Sequence, residues 1–190
     1  MRRLIMGLIV LLAGAGLNPT RAHAQGAGPA VDFAVGGGIA IPTGDFDDGA
    51  KLGWQGTAAV RALPQNLPVG FQFDGTFGRF SDESAFDIQS QLIYGTADIV
   101  YRFQTAEATR FQPYLIGGIG VYNLDAKGDD VNLIGNPDSE TKFGINAGAG
   151  FDFKAGSVGL FVEGRFHNAF FEGSDLQFIP ITLGVRFGGR

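Results

Sequence analysis

The sequence has no cysteine, so neither a disulfide framework nor thiol chemistry is available to it. Beyond its first two dozen residues it also lacks any apolar run approaching the roughly 20 residues that a membrane-spanning helix needs. Any insertion into a bilayer must therefore use strands. Positive charge is scarce: 14 Lys and Arg stand against 19 Asp and Glu, a formal charge of −5. Arg2, Arg3 and Arg21 lie in the N-terminal segment; without them 11 bases face 19 acids, a charge of −8. A chain of that charge is a poor nucleic-acid partner, because affinity there comes from neutralising phosphates. Two residue types are abundant instead, glycine at 31 and phenylalanine at 18 of 190. That glycine share is more than twice the usual one. With no long helical pattern, it points to strands whose backbones approach closely.

The N-terminus reads as an export signal. Arg2 and Arg3 precede the apolar run Leu4 to Leu17, and Ala22-His23-Ala24 places small residues on both sides of a signal-peptidase cut. A run of about 14 residues is too short for a transmembrane anchor. The expected organisation is a signal peptide over 1–24, a short flexible leader over 25–30, one domain over 31–187 and a tail over 188–190. About 166 residues follow the signal, enough for a single domain.

Alternation with period two dominates the remainder. Val31, Phe33, Val35, Ile39 and Ile41 occupy one face of the first segment, opposite Asp32, Ala34, Gly36, Gly38 and Ala40. The pattern recurs over 53–63, 69–80, 89–103, 142–153, 158–167 and 176–187; in 111–124 it is blurred by Tyr114 and Ile116. Eight strands of roughly 9–11 residues or more are long enough to cross a membrane when tilted. The connections are expected at 43–52, 64–68, 81–88, 104–110, 125–141, 154–157 and 168–175, each odd one longer than each even one. Short turns at one end and longer loops at the other are a property of outer-membrane barrels. With an even strand count both termini then lie on the short-turn, periplasmic side.

A soluble eight-stranded barrel also alternates, so the faces must decide. The polar face holds mostly Gly, Ala, Thr and isolated charges with almost no Lys, a poor solvent surface. Placing Phe, Ile, Val and Leu against lipid leaves the small and charged residues to line a narrow interior, which eight strands can just fill. A closed barrel also satisfies every backbone polar group, as hydrocarbon requires. The fold expected is all-β, an eight-stranded antiparallel up-and-down transmembrane barrel. Trp54, Tyr101, Phe103, Phe111 and Phe187 fall near strand ends, where aromatic girdles sit.

The segment Gln112-Pro113-Tyr114-Leu115-Ile116-Gly117-Gly118-Ile119-Gly120-Val121 and the closing Ile181-Thr182-Leu183-Gly184-Val185-Arg186-Phe187 resemble the small outer-membrane β-barrel proteins of the OmpA/OmpX type, over roughly 31–187. The resemblance implies an outer-membrane location. It also implies recognition of the last strand (Ile181, Leu183, Val185, Phe187) by the barrel-assembly machinery, although Gly188-Gly189-Arg190 follow the terminal Phe. Because the chain stops at strand eight, the peptidoglycan-binding domain found in longer relatives is expected to be absent.

The polar face carries five acids (Asp32, Asp74, Asp98, Asp152, Glu163) and four bases (Arg61, Arg102, Arg165, Arg186). Near balance in a confined interior is expected to pair these charges into a plug, since an unpaired buried charge costs several kcal/mol; a narrow solute channel is the alternative. Enzymatic chemistry is tested at His167, near Glu163, Arg165 and Glu172. Lipid A deacylases, barrels of similar size, use a His, a Ser two residues on and a Glu. Here that position is Ala169, and Ser174 is more distant. No catalysis is expected. The long loops hold 13 of the 19 acids, including Asp45, Asp47, Asp48, Asp125, Asp129 and Asp130. None matches the ligand spacing of an EF-hand, so no cofactor or metal is expected. The partners expected are outer-membrane lipid and lipopolysaccharide, and the chain is expected to be a monomer.

Overall fold

The computed structural model describes residues 30–44, 51–64, 67–81, 89–104, 110–127, 140–156, 158–171 and 175–188. The segment read as a signal peptide, nearly all of the leader, Ser174, Gly189-Arg190 and ten of the 13 loop acids lie outside these residues.

Eight strands follow one another: β1 (Ala30–Thr43), β2 (Gly53–Leu63), β3 (Val69–Ser81), β4 (Gln89–Arg102), β5 (Phe111–Lys127), β6 (Glu140–Ala155), β7 (Val158–Ala169) and β8 (Leu176–Gly188). Each pairs antiparallel with its sequence neighbours, and β8 returns to β1, closing the barrel. The period-two pattern produces two faces because successive side chains leave a strand on opposite sides. On β1, Val31, Phe33, Val35 and Ile39 are exposed outward while Asp32, Ala34 and Ala40 are buried inside. Exposure reaches 73 % for Phe143, 65 % for Ile119 and 59 % for Phe73 and Leu183. So many exposed apolar side chains make far more apolar surface than a water-soluble monomer exposes.

The register fixes the barrel's size. Following partners from Asp32 through Arg61, Gln72, Asp98, Gly118, Asn146 and His167 arrives at Phe178 on β8. Asp32 itself closes on Gly188, ten residues further along that strand. This stagger obliges the strands to tilt, typically by about 35–45°, and eight tilted strands leave an interior that side chains can fill. We call the end where β1 begins and β8 finishes the terminal end, and the opposite one the distal end.

Several boundaries differ from the sequence expectation. Ala30 belongs to β1 rather than to the leader, and Gly188 to β8 rather than to the tail. β5 and β6 run on past 124 and before 142, so their connection shrinks to 128–139. The added rungs are polar: Asn123 donates to the Thr141 hydroxyl at 2.8 Å, and Lys142 pairs with Glu140 at 2.8 Å. Ladder hydrogen bonds sustain pairing there with no hydrophobic alternation to announce it. The strict ordering of connection lengths also fails, because 103–110 is longer than 82–88 and 170–175. The β4–β5 turn is nonetheless tied down: the Phe103 amide donates to Pro113 at 3.1 Å, and the Gln112 side chain donates to the Phe103 carbonyl. The β6–β7 turn is the tightest, since Ala155 pairs with Val158. Gly156 there has φ of 67°, which strains any residue carrying a Cβ.

Candidate functional site

The interior is the candidate site, and it divides into three tiers along the axis. The middle tier is built on Arg165 of β7. Its Nε and Nη2 both lie 2.7 Å from Glu163 Oε1, and its Nη1 lies 3.0 Å from Asp98 and 3.1 Å from Asp74. One guanidinium thus meets three carboxylates. Neutral donors share the load: Thr96 to Asp98 at 2.6 Å, Asn146 to Asp98 at 2.7 Å, Gln72 to Asp74 at 2.9 Å and the Tyr114 hydroxyl to Glu163 at 2.8 Å. Charged hydrogen bonds of this kind are about twice as strong as neutral ones, which is how an acidic cluster survives in a space closed to bulk water.

Toward the terminal end lie Asp32, Arg61, Arg102, Asp152 and Arg186, three bases with two acids. Asp152 is shared by Arg61 at 2.8 Å and Arg186 at 3.1 Å. Arg61 is fully buried; its Nε donates to Gln72 at 2.6 Å and its guanidinium lies over the Tyr114 ring, 4.5 Å from the centroid. Arg186 lies similarly over Phe161 at 4.8 Å. Arg102 and Asp32 share the inward face without an ion pair among the described residues.

Toward the distal end the interior turns aromatic. Tyr94 and Tyr122 stack with centroids 5.3 Å apart, His167 stacks on Phe178 at 4.9 Å, and Phe178 meets Phe80 edge-on at 6.0 Å. Leu92, Leu176, Ala40 and Ala169 complete this buried cluster. The polar atoms of the rings are paired: Tyr122 hydroxyl with His167 Nδ1 at 2.8 Å, and Tyr94 hydroxyl donating to Gln55, whose amide donates to Thr182, both at 2.8 Å.

The nine charged residues picked out by alternation therefore all lie on the inward face, four in the middle tier and five at the terminal end. The expectation that small and charged residues line the interior is incomplete. Tyr94, Tyr114, Tyr122, Phe80, Phe161 and Phe178 are buried there as well. Glycine makes the room. A Cβ at Gly148 would press on the Arg165 stem, at Gly144 on the Tyr122 ring, at Gly150 on the Tyr114 ring, and at Gly36 or Gly184 on Phe161. Tyr114 and Arg165 are direct cross-strand partners of Gly150 and Gly148. A bulky residue on the polar parity facing glycines on the neighbouring strand is the signal that would have found them.

His167 is 1 % exposed, deep in this cluster rather than on a rim, and Ala169 beside it is buried too. Glu172 and Ser174 lie outside the described residues. A cavity of about 20 Å³, bordered by Gln55, Asp74, Tyr94, Glu163, Arg165 and His167, has room for a single water. Among the described residues no group of three or more His, Asp or Glu could hold a metal ion.

On the outer wall the five residues expected in girdles are all exposed, from 42 % to 54 %. Tyr101, Phe103, Phe111 and Phe187 ring the terminal end, where Tyr101 meets Phe103 at 5.3 Å and Phe111 stacks on Phe151 at 4.7 Å. Trp54 sits toward the distal end against Phe77. Ile181, Leu183, Val185 and Phe187 form the outward face of the closing strand β8.

The family model described as the outer membrane protein beta-barrel domain matches residues 9–187. Among solved structures the chain is similar to Neisserial surface protein A, with a TM-score of 0.59 and 15 % identity over 84 % of this chain and 96 % of that one. It is similar to a major outer membrane protein from Thermus thermophilus, with a TM-score of 0.58 and 12 % identity over 84 % and 98 %. The N-terminal β-barrel domain of Pseudomonas aeruginosa OprF gives 0.51 and 13 % over 83 % and 97 %. At these identities the likeness is one of fold. No curated protein matches the chain.

Proposed function

The chain belongs to the outer membrane protein β-barrel domain family, whose place is the outer membrane, and from that premise we propose that it is a structural and interaction barrel. Its interior is plugged, and it presents acidic loops at the distal end. The observation that carries this reading is the filled interior: the Arg165 tier spans it at mid-height, and the stack of Tyr94, Tyr122, His167 and Phe178 closes it above. Small solutes have no path through such a cross-section. Catalysis has no support at His167, which is buried and engaged by Tyr122.

In this reading the chain is exported through an N-terminal signal, and both termini face the periplasm. The acid-rich loops then face outward toward lipopolysaccharide, β8 is the strand read by the assembly machinery, and the barrel works as a monomer. Conductance across planar bilayers is the test. The plugged barrel gives no single-channel steps above the bare membrane. Regular steps that disappear on changing Arg102 or Asp98 would replace it with a narrow channel.

A further inference from the structure

We propose that the terminal-end tier is a binding site for a phosphate oxyanion that still carries a proton. Its five ionisable side chains come from five strands: Asp32 from β1, Arg61 from β2, Arg102 from β4, Asp152 from β6 and Arg186 from β8. They interact electrostatically as one group, Asp32 with both Arg61 and Arg186 and with Arg102 and Asp152. Asp152 is committed, one oxygen to Arg61 and the other to Arg186. Among the described residues, three donors in the tier are nevertheless buried with no hydrogen-bond partner: Arg61 Nη2, Arg102 Nε and Arg186 Nη1. One acceptor, Asp32 Oδ1, is in the same position.

Buried polar groups are hydrogen-bonded in native proteins, and guanidinium donors the more so. Among the described residues the acidic tier above does not supply the acceptors. Its three carboxylates already receive Arg165, Thr96, Asn146, Gln72 and Tyr114. Within the terminal tier three guanidiniums face two carboxylates, a local excess of one positive charge that an anion matches. A tetrahedral oxyanion offers several acceptor oxygens at once, the arrangement to which guanidinium forks are suited. Asp32 sharpens the identity. A carboxylate repels a fully ionised anion but accepts a hydrogen bond from one that retains a P–OH. Dihydrogen phosphate, or a phosphate monoester in its singly ionised form, meets both demands; sulfate and a phosphodiester have no proton to give. Access is from the terminal end, where the Asp152 side chain is 19 % exposed and Arg102 is half-buried. The aromatic stack bars the distal route.

The test is titration calorimetry at neutral pH on the folded full-length barrel in micelles of an uncharged, phosphate-free detergent. The probes are inorganic phosphate, sulfate and dimethyl phosphate, the last standing in for a lipid headgroup. Inorganic phosphate binds and the other two are weaker by roughly tenfold or more. Arg102→Gln, which breaks no ion pair among the described residues, weakens phosphate by roughly tenfold. Asp32→Asn brings phosphate and sulfate to near parity. Heat-modifiable gel migration verifies that each variant is folded, and should Arg102→Gln fail to fold, the Asp32→Asn arm decides alone. Absence of phosphate binding on the order of 10 mM overturns the site, as does unchanged binding in Arg102→Gln. Equal binding of sulfate removes the role of Asp32, and equal binding of dimethyl phosphate makes a lipid headgroup the ligand instead of free phosphate.

Discussion

At the distal end the interior is filled by rings, and at the terminal end it is lined by guanidiniums. The distal cluster of Phe80, Leu92, Tyr94, Tyr122, Leu176 and Phe178 is apolar, and the hydroxyls of Tyr94 and Tyr122 each have a partner. The terminal tier is charged, and four of its buried polar atoms have none among the described residues. Both fill a similar cross-section of the same barrel. They differ in what happens when one member is lost. Removing a ring leaves a cavity whose cost depends on how far its neighbours relax. Removing one charge leaves its partners ionised in a low-dielectric space, where the loss exceeds the net worth of the pair. The barrel is thus filled at one end by ring packing and tied in the middle by ions, two different kinds of interaction.

The sharpest way to break this contrast is at its boundary, Arg165. Replacing it by Met strands Asp74, Asp98 and Glu163 together, and a loss of about 3–5 kcal/mol is expected. Urea unfolding followed by the fluorescence of Trp54, the one tryptophan of the chain, reads this directly. Adding Asp74→Asn and Asp98→Asn to the same chain restores most of the loss; a single Arg165→Met whose midpoint barely moves would show that packing alone holds the middle tier. Next in size is Phe178→Ala, at the centre of the distal stack, where Tyr94, Tyr122, His167 and Phe80 all contact the ring. About 3 kcal/mol is expected, and no gain of conductance, because the Arg165 tier still blocks the passage; channel activity in this variant would place the seal in the rings. The smallest effect belongs to Tyr122→Phe. It keeps the ring stack and removes only the hydroxyl on His167, for about 1 kcal/mol in the same unfolding measurement.

Much of the wall was legible because lipid and lumen make opposite demands on alternate residues. Val31, Phe33 and Val35 against Asp32 and Ala34 need no tertiary information to be sorted. Tyr114 and Ile116 blurred the fifth segment for a physical reason: both are bulky and both are buried inside, at 1 % and 4 % exposure. Hydrophobicity cannot separate an aromatic facing lipid from one packed into a lumen. The polar rungs of β5 and β6 beyond 124 and before 142 escaped notice because outside the membrane neither face has to be apolar.

The sequence by itself determined the strand count, the parity of each strand and the sign of each face, since those follow from period two and from a bilayer that excludes unpaired polar groups. It also supplied the nine inward charges. Which of them meet was decided by the tertiary structure alone. The ten-residue stagger brings Arg165 of β7 beside Asp74 of β3 and Asp98 of β4 across the lumen. It leaves Arg102 and Asp32 without an ion pair among the described residues. Partners separated by 67 and 91 residues along the chain owe their meeting to the closure of β8 on β1, and no local pattern encodes that distance.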